Sequence, residues 1–234
     1  WPWAELKLNA LAPRPRWRSD DVARPWFLMD RVAGESVGRR VVRVPELAAA
    51  RKGLAREMGR QLAKIHAIPR TDDLAFLPAP GAHEHPSAVA LAVVRRTIDA
   101  LKRDRAAWEY GYRWLARHTP TTTGPWVVLH ADFRVGNLLV APEGVTAVID
   151  WEFAHVGDPH EDLAWPTLRD WRFEQDALEV GGVGSLDDLL AGYAEAGGRD
   201  VDRGALRWWQ VMGNLKWAVF CHAQAQRHLD GHDR

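Results

Sequence analysis

Two stretches decide the fold of this chain: Val128-Leu-His-Ala-Asp-Phe-Arg-Val-Gly-Asn-Leu-Leu-Val140 and Val145-Thr-Ala-Val-Ile-Asp-Trp-Glu152. Each is an apolar run typical of a short strand, and each carries polar side chains. The first contains Asp132 and Asn137, and the second contains Asp150. A turn-like segment separates the two runs, so we expect them to form a hairpin that brings these three side chains together. The pattern predicts one polar site on two neighbouring strands.

The rest of the chain has the apolar spacing of helices. Helices are predicted over residues 45–68, 87–117 with a break near Gly111, 159–169 and 185–197, and from Asp202 toward the C-terminal end. A short strand is predicted within 24–34, where an apolar run ends in a glycine turn. Strands and helices do not alternate, which argues against a doubly wound parallel sheet. The predicted fold class is therefore α+β, mostly helical.

Composition places the 234-residue chain among ordinary globular proteins. Lysine plus arginine equals aspartate plus glutamate, at 31 each, so net charge gives no argument for binding nucleic acid or a membrane. No apolar run approaches the roughly 18 residues that span a bilayer. The single cysteine, Cys221, excludes an internal disulfide framework, which predicts a cytoplasmic location. We expect its thiol to be packed inside the protein.

The order of Asp132, Asn137 and Asp150 is typical of phosphoryl transfer, which needs alignment and charge more than covalent chemistry. Asp132 is predicted to accept the proton of a substrate hydroxyl as the catalytic base. Asn137 and Asp150 are predicted to hold Mg²⁺, because this ion prefers a few protein oxygens together with waters and phosphates. His130 is expected to brace the loop rather than to react.

Five segments resemble the aminoglycoside phosphotransferase and choline kinase superfamily, small-molecule relatives of the protein kinases. They are His130-Ala-Asp-Phe-Arg-Val-Gly-Asn137, in which Ala131 replaces the usual glycine, Ile149-Asp-Trp-Glu152, Ala154-His-Val-Gly-Asp-Pro-His-Glu-Asp-Leu-Ala164, Gln61-Leu-Ala-Lys-Ile-His66 and Phe27-Leu-Met-Asp-Arg-Val-Ala-Gly34. The similarity covers roughly residues 24–165, and its motifs are specific in combination.

The resemblance implies a protein-kinase-like fold, chiefly the C-terminal lobe, with the N-terminal lobe largely missing. Residues 1–34 are then a remnant of the N-terminal lobe and the hinge, and residues 35–234 are the helical catalytic lobe. ATP and Mg²⁺ are the implied cofactors. The adenine is expected to meet the backbone of Asp30, Arg31 and Val32. The implied partner is a small molecule whose hydroxyl accepts the γ-phosphate.

The N-terminal lobe of this family carries a glycine-rich loop, a strand lysine and a helix glutamate that pairs with the lysine. Fewer than thirty residues precede the hinge, and no glycine precedes Gly34. Lys7 fits the lysine strand, or Glu5 fits the end of the glutamate helix, although an ordinary surface charge is favoured over both. We therefore expect the chain to be a fragment that binds ATP poorly by itself.

Two alternatives to a phosphotransferase stay open. One is a non-catalytic pseudokinase or binding module, motivated by the short N-terminal region. The other is a metal-dependent hydrolase using Asp132 and Asp150, which is disfavoured because such sites usually have more ligands at short spacing.

The sequence does not identify the phosphate acceptor or the oligomeric state. An aminoglycoside, a choline-like amine, a sugar, an amino-acid hydroxyl and a hydroxyacyl thioester all fit. The residues of these motifs are most similar to those in the kinase domain of certain acyl-CoA dehydrogenase fusion proteins. This similarity weakens the case for an antibiotic as the acceptor. The acceptor is expected among the helices after Trp165, where other tryptophans either line a pocket or simply pack: Trp171, Trp208, Trp209 and Trp217.

Overall fold

A computed structural model of the protein describes residues 12–21, 23–102 and 105–231. The predictions for Glu5 and Lys7 lie outside these residues. Seven helices occur within them: α1 Gly38–Arg43, α2 Ala48–His66, α3 Pro86–Ala100, α4 Ala106–Arg117, α5 Pro159–Ala164, α6 Leu186–Glu195 and α7 Arg203–Leu229. Six short strands occur there as well: β1 Pro15–Arg18, β2 Phe27–Met29, β3 Val127–Leu129, β4 Leu138–Ala141, β5 Gly144–Val148 and β6 His155–Gly157. The predicted fold class, α+β and mostly helical, is confirmed.

The strands form three separate antiparallel pairs, β1 with β2, β3 with β6, and β4 with β5. The predicted single arm over 128–140 is therefore wrong: it is two strands, and only β4 and β5 form the hairpin. The loop between β3 and β4 contains Asp132, and its polar groups prevent one continuous strand. The chain after β2 then joins the hairpin, because Glu35 and Val140 exchange backbone hydrogen bonds of 2.9 and 3.0 Å.

Polar side chains start three of the helices. Asp158 caps α5 by accepting from the His160 N–H, and Asp202 caps α7 by accepting from two backbone N–H groups. Ser185 and Asp188 form a capping box at α6. Each cap satisfies backbone donors that have no partner inside the helix.

Three details of the predictions are wrong. The predicted helix over 159–169 ends at Ala164 and is followed by two short 3-10 turns, Trp165–Thr167 and Arg169–Arg172, because Pro166 has no backbone N–H to continue the helix. The break in 87–117 lies between Ala100 and Ala106, where Lys102 has a left-handed backbone with φ of 47°. Gly111 stays inside α4. Cys221 is exposed rather than packed, because it lies off the apolar stripe of α7 that runs through Met212 and Val219. In the described residues, α7 and the other helices are too short or too polar to cross a bilayer.

Helices α2 and α6 cross in direct backbone contact, and two glycines make this possible. A Cβ added at Gly59 would lie 1.9 Å from the carbonyl oxygen of Leu189, and one added at Gly192 would lie 1.9 Å from that of Arg56. Both clashes are with backbone, which has no rotamer to change. The crossing positions α2, whose last residue, His66, reaches the candidate site.

We expect Gly59→Ala to lower the free energy of unfolding by about 3 kcal/mol, because overpacking against backbone forces the helices apart. Gly53→Ala is the matched control in the same helix, since a Cβ there meets nothing within 4 Å. The control should be stabilising by about 0.5–1 kcal/mol through helix propensity. Urea unfolding followed by circular dichroism measures both, and equal effects of the two substitutions would contradict the crossing geometry.

Candidate active site

Asp132 and Asn137 lie side by side in the loop that joins β3 to β4. The Asn137 Nδ2 donates to the Asp132 carboxylate at 2.6 Å and to the Asp132 carbonyl oxygen at 2.9 Å. Asp132 is 8% exposed and Asn137 is 3% exposed. A short 3-10 turn, Val135–Asn137, produces this arrangement by folding the loop back on itself.

Asp150 follows β5 and is joined to the same loop through its neighbour. The Ile149 N–H donates to the carbonyl oxygen of Asn137 at 2.9 Å. Asp150 itself is exposed and has a left-handed backbone with φ of 69°. Such a conformation is uncommon for a residue with a side chain, and it is found most often at functional sites. The structure therefore brings Asp132, Asn137 and the segment of Asp150 to one place.

His130 braces this loop, as predicted. Its Nδ1 accepts from the Asp132 N–H at 3.2 Å, and its Nε2 donates to the Ile149 carbonyl oxygen at 2.9 Å. One ring nitrogen accepts and the other donates, so the ring is neutral. Burial lowers the pKa of His130 below its usual value, against the raising effect of Asp162 and the other nearby carboxylates. The neutral ring therefore links the Asp132 loop to the Asp150 segment.

Asp162 in α5 fixes the backbone on which His130 stands. Its carboxylate accepts from the N–H groups of His130 at 2.8 Å and Ala131 at 2.7 Å. His66 Nε2 lies 3.3 Å from the same carboxylate, and the other ring nitrogen of His66 lies 2.8 Å from the Tyr193 hydroxyl. Burial works to raise the pKa of Asp162, but hydrogen bonds and charge from His66 outweigh it and the pKa is lowered.

Ala131 stands where the related family usually has glycine. The backbone conformation explains the preference for glycine at this position. Its φ is 65°, in the left-handed region that glycine adopts at no steric cost. Asp162 accepts hydrogen bonds from the N–H of Ala131 itself and from that of His130 before it, so the buried carboxylate holds the alanine in a conformation that it rarely adopts.

Two further side chains converge on the Asp132 carboxylate, and the sequence patterns missed both. Trp165 Nε1 donates to Oδ1 at 2.6 Å, and Arg134 Nε lies 3.3 Å from both carboxylate oxygens. The Arg134 guanidinium also lies over the Trp171 ring, 4.9 Å from its centroid. The spacing along the sequence could have indicated each of them, because Arg134 follows Asp132 by two residues and Trp165 follows Asp162 by one helical turn.

The four tryptophans proposed near the acceptor divide into two groups. Trp171 and Trp217 lie beside Trp165, with ring centroids 5.8 and 6.4 Å from it. Trp208 and Trp209 are 1% and 3% exposed and belong to the main hydrophobic core. The first group adjoins Trp165, which donates to Asp132, whereas Trp209 also lines the cleft beside Asp150.

A cleft of about 1300 Å³ opens beside Asp150. Its described walls come from the β1–β2 hairpin, helices α3 and α7 and the segment 149–156, and most of the lining side chains are apolar. Phe27 and Met29 line it on the hairpin side. An apolar cleft with a carboxylate at its edge is the common form of a small-molecule site.

The hinge residues lie next to this cleft rather than in its described lining. The Asp30 carboxylate forms a two-pronged ion pair with Arg16, at 2.6 and 2.8 Å, and this hydrogen bonding lowers the pKa of Asp30. Arg31 is exposed and Val32 is half-buried. Contact of the adenine with the backbone of these three residues stays a prediction.

The donor atoms present suit a magnesium ion that is also held by phosphates. The described residues contain no group of three or more His, Cys, Asp and Glu side chains that would hold a metal alone. Both hydrogen bonds of the Asn137 side chain use Nδ2, which leaves its Oδ1 with no hydrogen bond from any described residue. The exposed Asp150 carboxylate adds a charged oxygen. One amide oxygen and one carboxylate fit the protein share of a magnesium site.

The sequence model of the phosphotransferase enzyme family matches residues 4–209. The chain belongs to this family. The predicted resemblance to aminoglycoside phosphotransferases and choline kinases is thereby confirmed.

Among the curated relatives is acyl-CoA dehydrogenase family member 11 of Gallus gallus, which is 26% identical over 239 residues. The match covers 94% of this chain and 30% of that protein, so the chain spans less than a third of its relative.

Solved structures share the fold of this family member. The GDP complex of aminoglycoside 2'-phosphotransferase-IIIa has a TM-score of 0.68 at 15% identity, covering 95% of this chain and 71% of that one. A choline/ethanolamine kinase family protein from Mesorhizobium loti has a TM-score of 0.67 at 16% identity, covering 93% and 66%. At these identities the likeness establishes the fold alone.

Proposed function

We propose that this family member transfers the γ-phosphate of ATP to a hydroxyl group of a small molecule in a Mg²⁺-dependent reaction. The observation that carries the proposal is the hydrogen-bonded loop that holds Asp132 and Asn137 together and ties them to the segment of Asp150. Family membership supports phosphotransfer, and the geometry supports these residues as its machinery.

Asp132 acts as the catalytic base. Its carboxylate accepts the proton of the substrate hydroxyl and orients the oxygen toward the γ-phosphate. The donors already on the carboxylate fix its orientation. Arg134 places a positive charge beside it, at 3.3 Å, where the transferred phosphate gains negative charge on its oxygens. The base and the cation are therefore in direct contact with each other.

Asn137 Oδ1 and the Asp150 carboxylate would hold the magnesium ion. Such an ion would offset the negative charge of the nucleotide phosphates. The left-handed backbone at Asp150 turns its carboxylate out from the hairpin, into the wall of the cleft. The adenine lies against the backbone of Asp30–Val32, and the acceptor lies on the side of Trp171 and Trp217.

We expect Asp150→Asn to weaken the apparent affinity for Mg²⁺ in the presence of ATP by about tenfold or more, because Mg²⁺ binding depends on ligand charge. Glu152→Gln is the matched control, since Glu152 is exposed and lines the same cleft two residues away. Titration of ADP formation against free Mg²⁺ at fixed ATP measures both. An Asp150→Asn curve that overlays the Glu152→Gln curve would remove Asp150 from the metal site.

The proposed function is tested by an ATP-consumption screen of the full-length protein. The acceptor panel contains an aminoglycoside, choline, a hexose, serine and a hydroxyacyl thioester, with Asp132→Asn as the blank. We expect one class of acceptor to raise ADP formation at least about tenfold above the rate with water, and mass spectrometry to show the phosphorylated product.

Two results would overturn the proposal. Phosphate release from ATP at the same rate with and without every acceptor would indicate a hydrolase. Nucleotide binding without turnover for any acceptor would indicate a non-catalytic binding module.

A further inference from the structure

We propose that Trp165 is the positioning residue of the catalytic base, and that its indole N–H sets the orientation of the Asp132 carboxylate for proton transfer. This inference rests on the proposed function, since it takes Asp132 as the base. Its starting point is the 2.6 Å hydrogen bond from Trp165 Nε1 to Asp132 Oδ1, which joins two elements 33 residues apart.

The other donors to this carboxylate are less suited to hold it during turnover. Asn137 and Arg134 belong to the same loop as Asp132 and move with it. In the proposed reaction Asn137 also binds the metal through Oδ1 and Arg134 also faces the phosphate, so each has a second role when the substrates bind. Trp165 comes from the C-terminal end of α5 and has no such second role. Trp165 is therefore the donor whose hydrogen bond to Asp132 stays unchanged during the reaction.

The indole is itself held in place. Trp165 is 6% exposed and packs in a small buried cluster with Leu168 and Trp171. The Lys216 ammonium lies over its ring, 5.4 Å from the centroid. Helix α7 packs closely against this cluster, since a Cβ added at Gly213 would lie 3.1 Å from Leu168 Cδ1 and 3.4 Å from Trp165 Cε3. Because the packed ring has one position and one N–H group, that N–H points in a single direction.

Helix α5 positions both the loop backbone before Asp132 and the Asp132 side chain. Asp162 and Trp165 are three residues apart, and the backbone stays helical through Trp165, so the two side chains share one face. Asp162 fixes the loop backbone at His130 and Ala131, and Trp165 fixes the side chain of Asp132.

An indole suits this role because it is a neutral donor with a single N–H. It occupies one acceptor position on Oδ1 and leaves the negative charge on the carboxylate. Asn137 occupies a position on Oδ2, and the positions that Arg134 contacts become available to the substrate hydroxyl when the guanidinium faces the phosphate.

The test compares two substitutions at this position. Trp165→Phe keeps an aromatic ring but removes the donor. Trp165→His loses more packing but keeps a ring N–H two bonds from Cγ, as in the indole. We expect Trp165→Phe to lower kcat by about 10- to 100-fold, with the KM for Mg-ATP within about twofold of wild type, because a base displaced by a fraction of an ångström loses alignment. Trp165→His should recover most of the loss.

The assay follows ADP formation from Mg-ATP with the best acceptor of the panel and, in parallel, with water. A purely structural role predicts the reverse order, with phenylalanine better than histidine, and that order would overturn the proposal. Wild-type kcat in Trp165→Phe would overturn it as well. If Asp132→Asn keeps full activity, the proposed function falls together with this inference. If Asp132→Asn is inactive and Trp165→Phe is fully active, this inference alone falls.

A second readout needs no acceptor. In a ¹H–¹⁵N spectrum the Trp165 indole signal, identified by its loss in Trp165→Phe, should lie downfield of the other indole signals because of its short bond to a carboxylate. Asp132→Asn should move it upfield. A Trp165 signal that does not respond to Asp132→Asn would show that the two side chains are not bonded in solution, and the proposal would fail.

Discussion

Asp132→Asn is expected to lower kcat by about 10²- to 10⁴-fold, the usual contribution of a general base. The amide has the shape of the carboxylate but does not accept the hydroxyl proton. It also turns an N–H group toward either Trp165 or Asn137, both of which donate to Asp132 in the native protein. The KM for Mg-ATP should change little, because Asp132 faces the acceptor. Initial rates of ADP formation, with both substrates varied, separate these effects.

The matched control is Asp176→Asn, an exposed aspartate that pairs with Arg169 on the surface. It makes the same chemical change away from the site, and its kcat should equal that of wild type. Thermal unfolding of Asp132→Asn shows how much protein stays folded at the assay temperature. A folded Asp132→Asn protein with a kcat within threefold of wild type would assign the base to another residue.

The sequence predicted the elements that depend on local patterns. The helix over 45–68 and the starts of α6 and α7 follow from apolar spacing and from capping side chains within four residues. The exposed position of Cys221 and the break after Ala100 depend on how α4 and α7 pack, and they were predicted wrongly. The β3–β6 pair joins segments about 25 residues apart, and no local pattern specifies such a partner.

The same division applies to the site. Asp132, Asn137 and Asp150 were predicted as site residues because phosphoryl transfer imposes their order along the chain. Trp165 was not assigned a role at Asp132, because its contact to the carboxylate depends on the direction in which α5 packs. Contacts that depend on the fold position the proposed base, whereas the sequence motif contains the groups that are proposed to react.

Asp162→Ala is expected to lower the free energy of unfolding by about 3–5 kcal/mol, the range for removing one partner of a buried charged network. The carboxylate is fully buried and accepts from His130 N–H and Ala131 N–H. Alanine leaves both donors, and His66, without that partner in a site that excludes water. The left-handed backbone at Ala131 then loses the contact that holds it, so the catalytic loop should relax even in molecules that stay folded.

Urea unfolding measures the loss of stability, and Asp187→Ala is the control because its side chain is 86% exposed. The control should change stability by less than about 0.5 kcal/mol. In molecules that stay folded at low temperature, Asp162→Ala should also lower kcat, since His130 and Asp132 share the released backbone. Equal unfolding midpoints for the two variants would show that Asp162 does not hold this loop. A stability loss with unchanged kcat would show that the hydrogen bonds of Asp162 stabilise the loop without affecting catalysis. The orientation of Asp132 would then depend on Trp165 alone.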